Sequence, residues 1–236
     1  MNKNWDLNQV TAFVLKAKKS ENSREFHRVY DLSFKAWHET WQKTYQMDFN
    51  SPKSLNSDTF TRQDDVLSLF YKGECFAVCI FTHLNMTDEY AHHDSYFNCW
   101  PEDAIKALCA RGPNIITCTQ YTVCENFRGE GPTSLGKNPW RTLITAMIGK
   151  YFLKSGKDAM SAITRVNKGI DKVSYKNGGI QLVEGLEFEA GSDKTLVDLV
   201  VFFPDEVLEI YDTNPYSEYF EELWENRNGR ALIIAA

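Results

Sequence analysis

The sequence predicts an α/β fold of the α+β kind, a central sheet with helices packed against it, and three observations carry that expectation. Six apolar, β-branched runs of strand length are bounded by turn residues. Two of them, residues 66–71 and 75–81, are separated by Lys72-Gly73-Glu74 and read as a hairpin. Between and after the runs lie segments with apolar residues three and four apart, so strands and helices are expected to share one core.

Taken in order, residues 23–45 place Phe26, Val29, Tyr30, Phe34, Trp37, His38 and Trp41 at helical spacing, with Asn22 or Ser23 as candidate caps. Residues 47–64 are polar and read as a loop able to cover a site. The hairpin follows, then a polar stretch from Asn85 to Asn98 and a short helix after Pro101. A strand at 115–123 turns through Phe127-Arg128-Gly129-Glu130-Gly131 toward a helix at 140–148, and a further strand covers 158–165. Strands at 179–189 and 195–202, about six in all, precede helices at 204–211 and 216–225.

At 236 residues the chain is expected to form one domain, 1–236, with an N-terminal helical elaboration over about 1–64. The net charge of −6, with acids and bases interspersed, argues against a nucleic-acid surface. Six cysteines without a Cys-x-x-Cys pair suggest neither a disulfide framework nor a zinc site. The scatter of His83, His92, His93 and Cys99 has no metal-ligand spacing, so no metal is expected. Residues 1–6 carry no apolar run, and no stretch of about 20 apolar residues could span a bilayer, which makes a cytoplasmic setting the expectation.

The chemistry concentrates between Asn114 and Ile180. A strand that turns through Arg-Gly-x-Gly into a helix aims free backbone N–H groups and a positive helix end at one point, as a pyrophosphate requires. Arg128 and Lys137 are the best phosphate partners, and the glycines let the backbone come close. A rival reading takes Gly131 to Asn138 as a P-loop, with Gly136-Lys137 in place but Asn138 where the pattern has Ser or Thr.

At these residues the chain resembles the GNAT superfamily of N-acyltransferases, whose donor loop runs Arg/Gln-x-x-Gly-x-Gly/Ala at a strand-to-helix junction. Val166-Asn167, Tyr175 eight residues on and Gly178-Gly179 are similar to the family's next segment. The resemblance implies a mixed, mostly antiparallel sheet, splayed between its fourth and fifth strands to admit a pantetheine arm, with helices on both faces. It implies donor contacts at Val123, Arg128, Gly129, Gly131, Gly136, Lys137 and Asn167, although residues 132–139 interrupt the family's loop. The donor would be acyl-CoA or an acyl-phosphopantetheine on acyl-carrier protein, and the acceptor a primary amine. The N-terminal Trp-bearing helix and the loop with Asp58-Thr59-Phe60 look like the long-chain N-acyl amino acid synthase and acyl-homoserine-lactone synthase branches, whose central-strand acid and arginine are absent here. Tyr175 matches the family's acid for the leaving thiolate, and Asn167 its helix-orienting residue, a role compatible with a plain N-cap. For the base, Glu125, Glu130 and His83 are the nearby candidates, with Glu130 expected to face water. A donor- or partner-binding module without turnover is the non-enzyme alternative.

Overall fold

The computed structural model describes residues 5–48, 55–129, 131–190 and 193–229. In chain order the elements are β1 (Val10–Lys16), α1 (His27–Asp48), α2 (Asp58–Thr61), β2 (Asp65–Tyr71), β3 (Glu74–Asn85), α3 (Glu89–His92), α4 (Glu102–Leu108), β4 (Asn114–Val123) and α5 (Pro139–Ser155). They continue with β5 (Ala159–Arg165), α6 (Ile170–Tyr175), β6 (Gly179–Ala190), β7 (Asp193–Phe202), α7 (Pro204–Asp212) and α8 (Ser217–Glu225). Among the described residues the strands form one seven-stranded sheet, ordered β1-β2-β3-β4-β5-β7-β6. Every neighbouring pair is antiparallel except β4 with β5. This is the mixed, mostly antiparallel sheet expected.

The seventh strand is β1, inside the N-terminal segment read as a helical elaboration. It shows no period-two alternation, because Ala12, Phe13 and Leu15 are buried on both faces. β2 closes one edge of β1. On the other, Asn228 donates its backbone N–H to the Ala12 carbonyl and accepts from the Val14 N–H at 2.9 Å, blunting the exposed edge.

Helices cover both faces. α5 is apolar nearly all round, which suits a helix sunk between the sheet and α7 and α8; Leu143, Met147 and Phe152 pack there with Phe81 and Trp224. Pro139 at the first position and left-handed Gly156 at the end set its limits. On the opposite face, Val29 and Trp37 of α1 pack on Phe13, Phe70 and Ile80, while Leu108 of α4 packs on Ile115 and Leu199. The polar stretch at 47–64, in part outside the described residues, contains α2, whose Phe60 is wholly buried between α1 and the sheet.

Where α5 crosses β2 and β3 a buried carboxylate organises the packing. The Tyr151 hydroxyl donates to Asp65 Oδ2 at 2.7 Å, Lys16 Nζ donates to Oδ1 at 2.7 Å, and His83 Nε2 lies 3.1 Å from Oδ2. Burial opposes the charge on Asp65, but the bonds from His83, Lys16 and Tyr151 outweigh it and hold its carboxyl well below the usual range. Such a group stabilises fully above its unfolded pKa of about 4 and loses that contribution as pH falls through the lower native value. Asp65→Asn is expected to cost about 2 kcal/mol, the scale of a buried hydrogen bond to a charged group. Melting curves between pH 7 and 2.5 check this: the unmodified protein should lose stability below about pH 4 more steeply than the variant.

Candidate active site

The parallel ladder between β4 and β5 has four rungs, from Ile115 opposite Ala159 to Cys118 opposite Ala162. Beyond them β4 runs on to Val123 and β5 to Arg165 without pairing with each other, so the sheet opens where the resemblance places its splay. A bulge in β4 accompanies the opening. β3 advances two residues, from Ile80 to Val78, while β4 advances three, from Thr119 to Thr122. Gln120, at the bulge, has φ of +57°, a conformation a non-glycine residue adopts only when its surroundings impose it. α1 supplies that constraint, with Trp37 Nε1 donating to Gln120 Oε1 at 3.1 Å and Trp41 Nε1 to Thr122 Oγ1 at 2.9 Å.

A cavity of about 560 Å³ passes through the opening. On the α5 side it is apolar, lined by Ile148, Met160, Phe202, Val207, Ile210 and Tyr211. On the α1 side it is polar, with Gln63, Thr82, Asp94, Thr117 and Thr119. A smaller cavity of about 200 Å³ shares Trp41, Tyr121, Arg165 and Ile170 with it and reaches the start of α5. Arg128, Arg141, Arg165 and Lys168 line this smaller cavity, together with Gly129 and Asn138, and among the described residues no carboxylate does. Asn138 makes no side-chain cap, so the first N–H groups of a 17-residue helix add their partial positive charge to the four cations.

The expected donor residues divide. Val123, Arg128 and Gly129 line the cationic cavity, and Arg128 Nε donates to the Val123 carbonyl at 2.9 Å, laying the guanidinium across the end of β4. Gly131 does not line it; with φ of +141°, its missing Cβ would stand 2.4 Å from Pro139 Cγ and 2.7 Å from Trp140 Nε1. Gly136 and Lys137 are exposed and line neither cavity, because residues 133–135 form a turn anchored by buried Leu135 that carries them outward. Asn167 is exposed too, and Gly169, not Asn167, is the N-cap of α6; Arg165 and Lys168 on either side are the residues that face the cavity.

The expected acid–base residues have other partners. The Tyr175 hydroxyl donates to buried Asp198, and Tyr175 lines neither cavity. Burial and that bond to Asp198 push its phenol well up, making it a poorer acid. Glu125 is exposed and ion-paired with Lys43 at 2.9 Å, and Glu130 lies outside the described residues. His83 points to Asp65 and the Tyr151 hydroxyl instead of the cavity, and His92 Nε2 lies 2.8 Å from the Met86 carbonyl, so the histidines do not converge. Sequence reasoning missed Arg141, Arg165, Lys168, Asp94 and the bulge. Arg141, two positions into a helix that starts with Pro, was legible as a phosphate partner; the others depend on the fold.

No protein-family model matches the chain, and no curated protein matches it in sequence. Solved structures do match. The N-acyl amino acid synthase FeeM from uncultured soil microbes is similar over 89% of this chain and 96% of its own, at 12% identity and a TM-score of 0.54. The fold is GNAT-like, a mixed, mostly antiparallel sheet flanked by helices. A CoA-dependent acyl-homoserine lactone synthase, BjaI, solved with SAM and isopentyl-CoA, is similar over 86% of this chain and 88% of its own, at 15% identity and a TM-score of 0.54. A second such synthase, MesI, covers 85% and 93% at 13% identity with a TM-score of 0.53. A GNAT-like sheet with one parallel pair removes the P-loop reading, which needs successive parallel βα crossovers. Within this fold Gly131 is a packing residue, so Gly131→Ala is expected to cost about 2–4 kcal/mol through backbone strain and the clash with Pro139. Denaturant titration measures it; a neutral result removes the close-approach role.

Proposed function

We propose that the protein transfers an acyl group from a pantetheine thioester, acyl-CoA or acyl-carrier protein, to a primary amine. The observation that carries this is the opening between β4 and β5 beside a cavity lined by four cations and the start of α5. Arg128, Arg141, Arg165 and Lys168 would hold the donor's phosphates. The pantetheine arm would lie between the separated strands, whose facing backbone edges no longer pair with each other. Gln120 and Tyr121 stand outside the β3 register, and an amide N–H there would face the thioester carbonyl oxygen as charge develops on it. The apolar side of the large cavity would take an acyl chain longer than acetyl. That FeeM is an N-acyl amino acid synthase and that BjaI was solved with isopentyl-CoA agree with this reading.

Asp94 is the one carboxylate lining either cavity among the described residues, and it lies on the polar side. The Tyr96 N–H donates to its Oδ1 at 2.8 Å, a capping bond that fixes the carboxylate. We assign it the acceptor's ammonium and then its proton, in place of Glu125.

Calorimetric titration with CoA tests the donor site. Arg128→Ala is expected to weaken CoA about tenfold or more, the loss of one charge-assisted contact, with a smaller difference at high salt. Absence of heat with CoA, acyl-CoA and acyl-carrier protein would overturn the reading. Turnover is read as thiol release from acyl-CoA with a panel of amines. Asp94→Asn should lower kcat roughly 10²-fold, the scale of one acid–base group. Tyr175→Phe should keep kcat within about threefold while lowering stability by about 1–2 kcal/mol, since its hydroxyl satisfies buried Asp198. The reverse pattern would return the acid role to Tyr175, and CoA binding without transfer to any amine would favour a binding module.

A further inference from the structure

Cys118 is the last residue of β4 to pair with β5, so it stands at the apex of the opening. It is partly exposed and lines the large cavity, as no other cysteine does among the described residues. Its Sγ lies 3.3 Å from that of Cys79, which is wholly buried and donates to the Thr119 carbonyl at 3.3 Å. Two residues of strand, about 7 Å, separate Cys118 from the bulge at Gln120. If the donor lies as proposed above, on which this inference rests, its sulfur comes within reach of the Cys118 thiol.

We propose that Cys118 is a site of thiol–disulfide exchange with CoA disulfide, delivered by the donor cavity. The Cys118 thiolate attacks one sulfur of the disulfide; the Cys118–CoA bond forms, the old S–S bond breaks, and one CoA leaves as thiolate and takes up a proton. Only the incoming disulfide supplies oxidation. Attack by Cys79 on the adduct would expel the second CoA and close a Cys79–Cys118 disulfide, but burial pushes the Cys79 thiol well up and leaves little thiolate to react. The mixed disulfide therefore persists. It fills the pantetheine path, blocks acyl-donor binding, and is removed by a reducing thiol.

The test treats reduced protein with CoA disulfide or with glutathione disulfide, followed by intact mass and peptide mapping, while calorimetry with desulfo-CoA reports the donor site separately. One CoA adduct on Cys118 is expected, forming at least about tenfold faster than the glutathione adduct, slowed by desulfo-CoA, lost in Cys118→Ser and retained in Cys79→Ser. The Cys118→Ser protein should still bind desulfo-CoA, showing that it is folded. Normal desulfo-CoA binding with no adduct, an adduct on another cysteine, equal rates for the two disulfides, or closure to a Cys79–Cys118 disulfide overturns the inference alone. Failure of desulfo-CoA to bind the unmodified protein overturns the donor reading and this inference with it.

Discussion

Four rungs of parallel pairing between β4 and β5 are the constraint on which the rest of the site depends. Those rungs keep the two halves of the sheet in one plane, and their ending sets two strand edges apart. Unpaired backbone inside a protein is costly unless something else satisfies it. Side chains meet part of that cost, Thr122 Oγ1 donating to the Gln120 carbonyl at 2.6 Å and Arg128 Nε to the Val123 carbonyl at 2.9 Å, and further side-chain bonds brace the strand. Trp37 and Trp41 of α1 bond to Gln120 and Thr122, and the Tyr121 hydroxyl lies 3.0 Å from Thr145 Oγ1 on α5. The bulge is thus held from both faces.

Charge is distributed to match. The chain carries a net −6, yet among the described residues four cations and no carboxylate line the small cavity. They arrive from three places: Arg128 after β4, Arg141 in the first turn of α5, and Arg165 at the end of β5 with Lys168 just beyond it. Converging charges of one sign repel, so such a cluster favours an anionic occupant. Ion pairs also form on the surface, as Lys43 with Glu125 and Arg111 with Glu206.

Two buried carboxylates account for two of the residues that did not reach the cavity, His83 and Tyr175. Asp65 takes His83, Lys16 and Tyr151; Asp198 takes Tyr175, Gln181 and the Gly185 N–H. An ionised carboxylate inside a core needs several donors, and it draws in polar side chains that have the chemistry for catalysis. A histidine at a strand end and a tyrosine on a short helix therefore look the same in sequence whether they face a substrate or a structural acid.

The sequence by itself determined the strands from β2 to β7, the major helices, the fold class and the loop at Arg128-Gly129, because these follow from local periodicity, turn residues and a contiguous motif. Strand β1 was illegible, since burial on both faces removes alternation. Only the tertiary structure decided that Arg165 lines both cavities, with Lys168 at the small one and Asp94 at the large one, and that Gly136, Lys137, Asn167, Glu125 and Tyr175 line neither. Those choices depend on a one-residue bulge and on which buried acid claims which donor. Both are set by contacts between residues far apart in the chain, such as Trp37 with Gln120 and Tyr175 with Asp198, where local pattern carries no information.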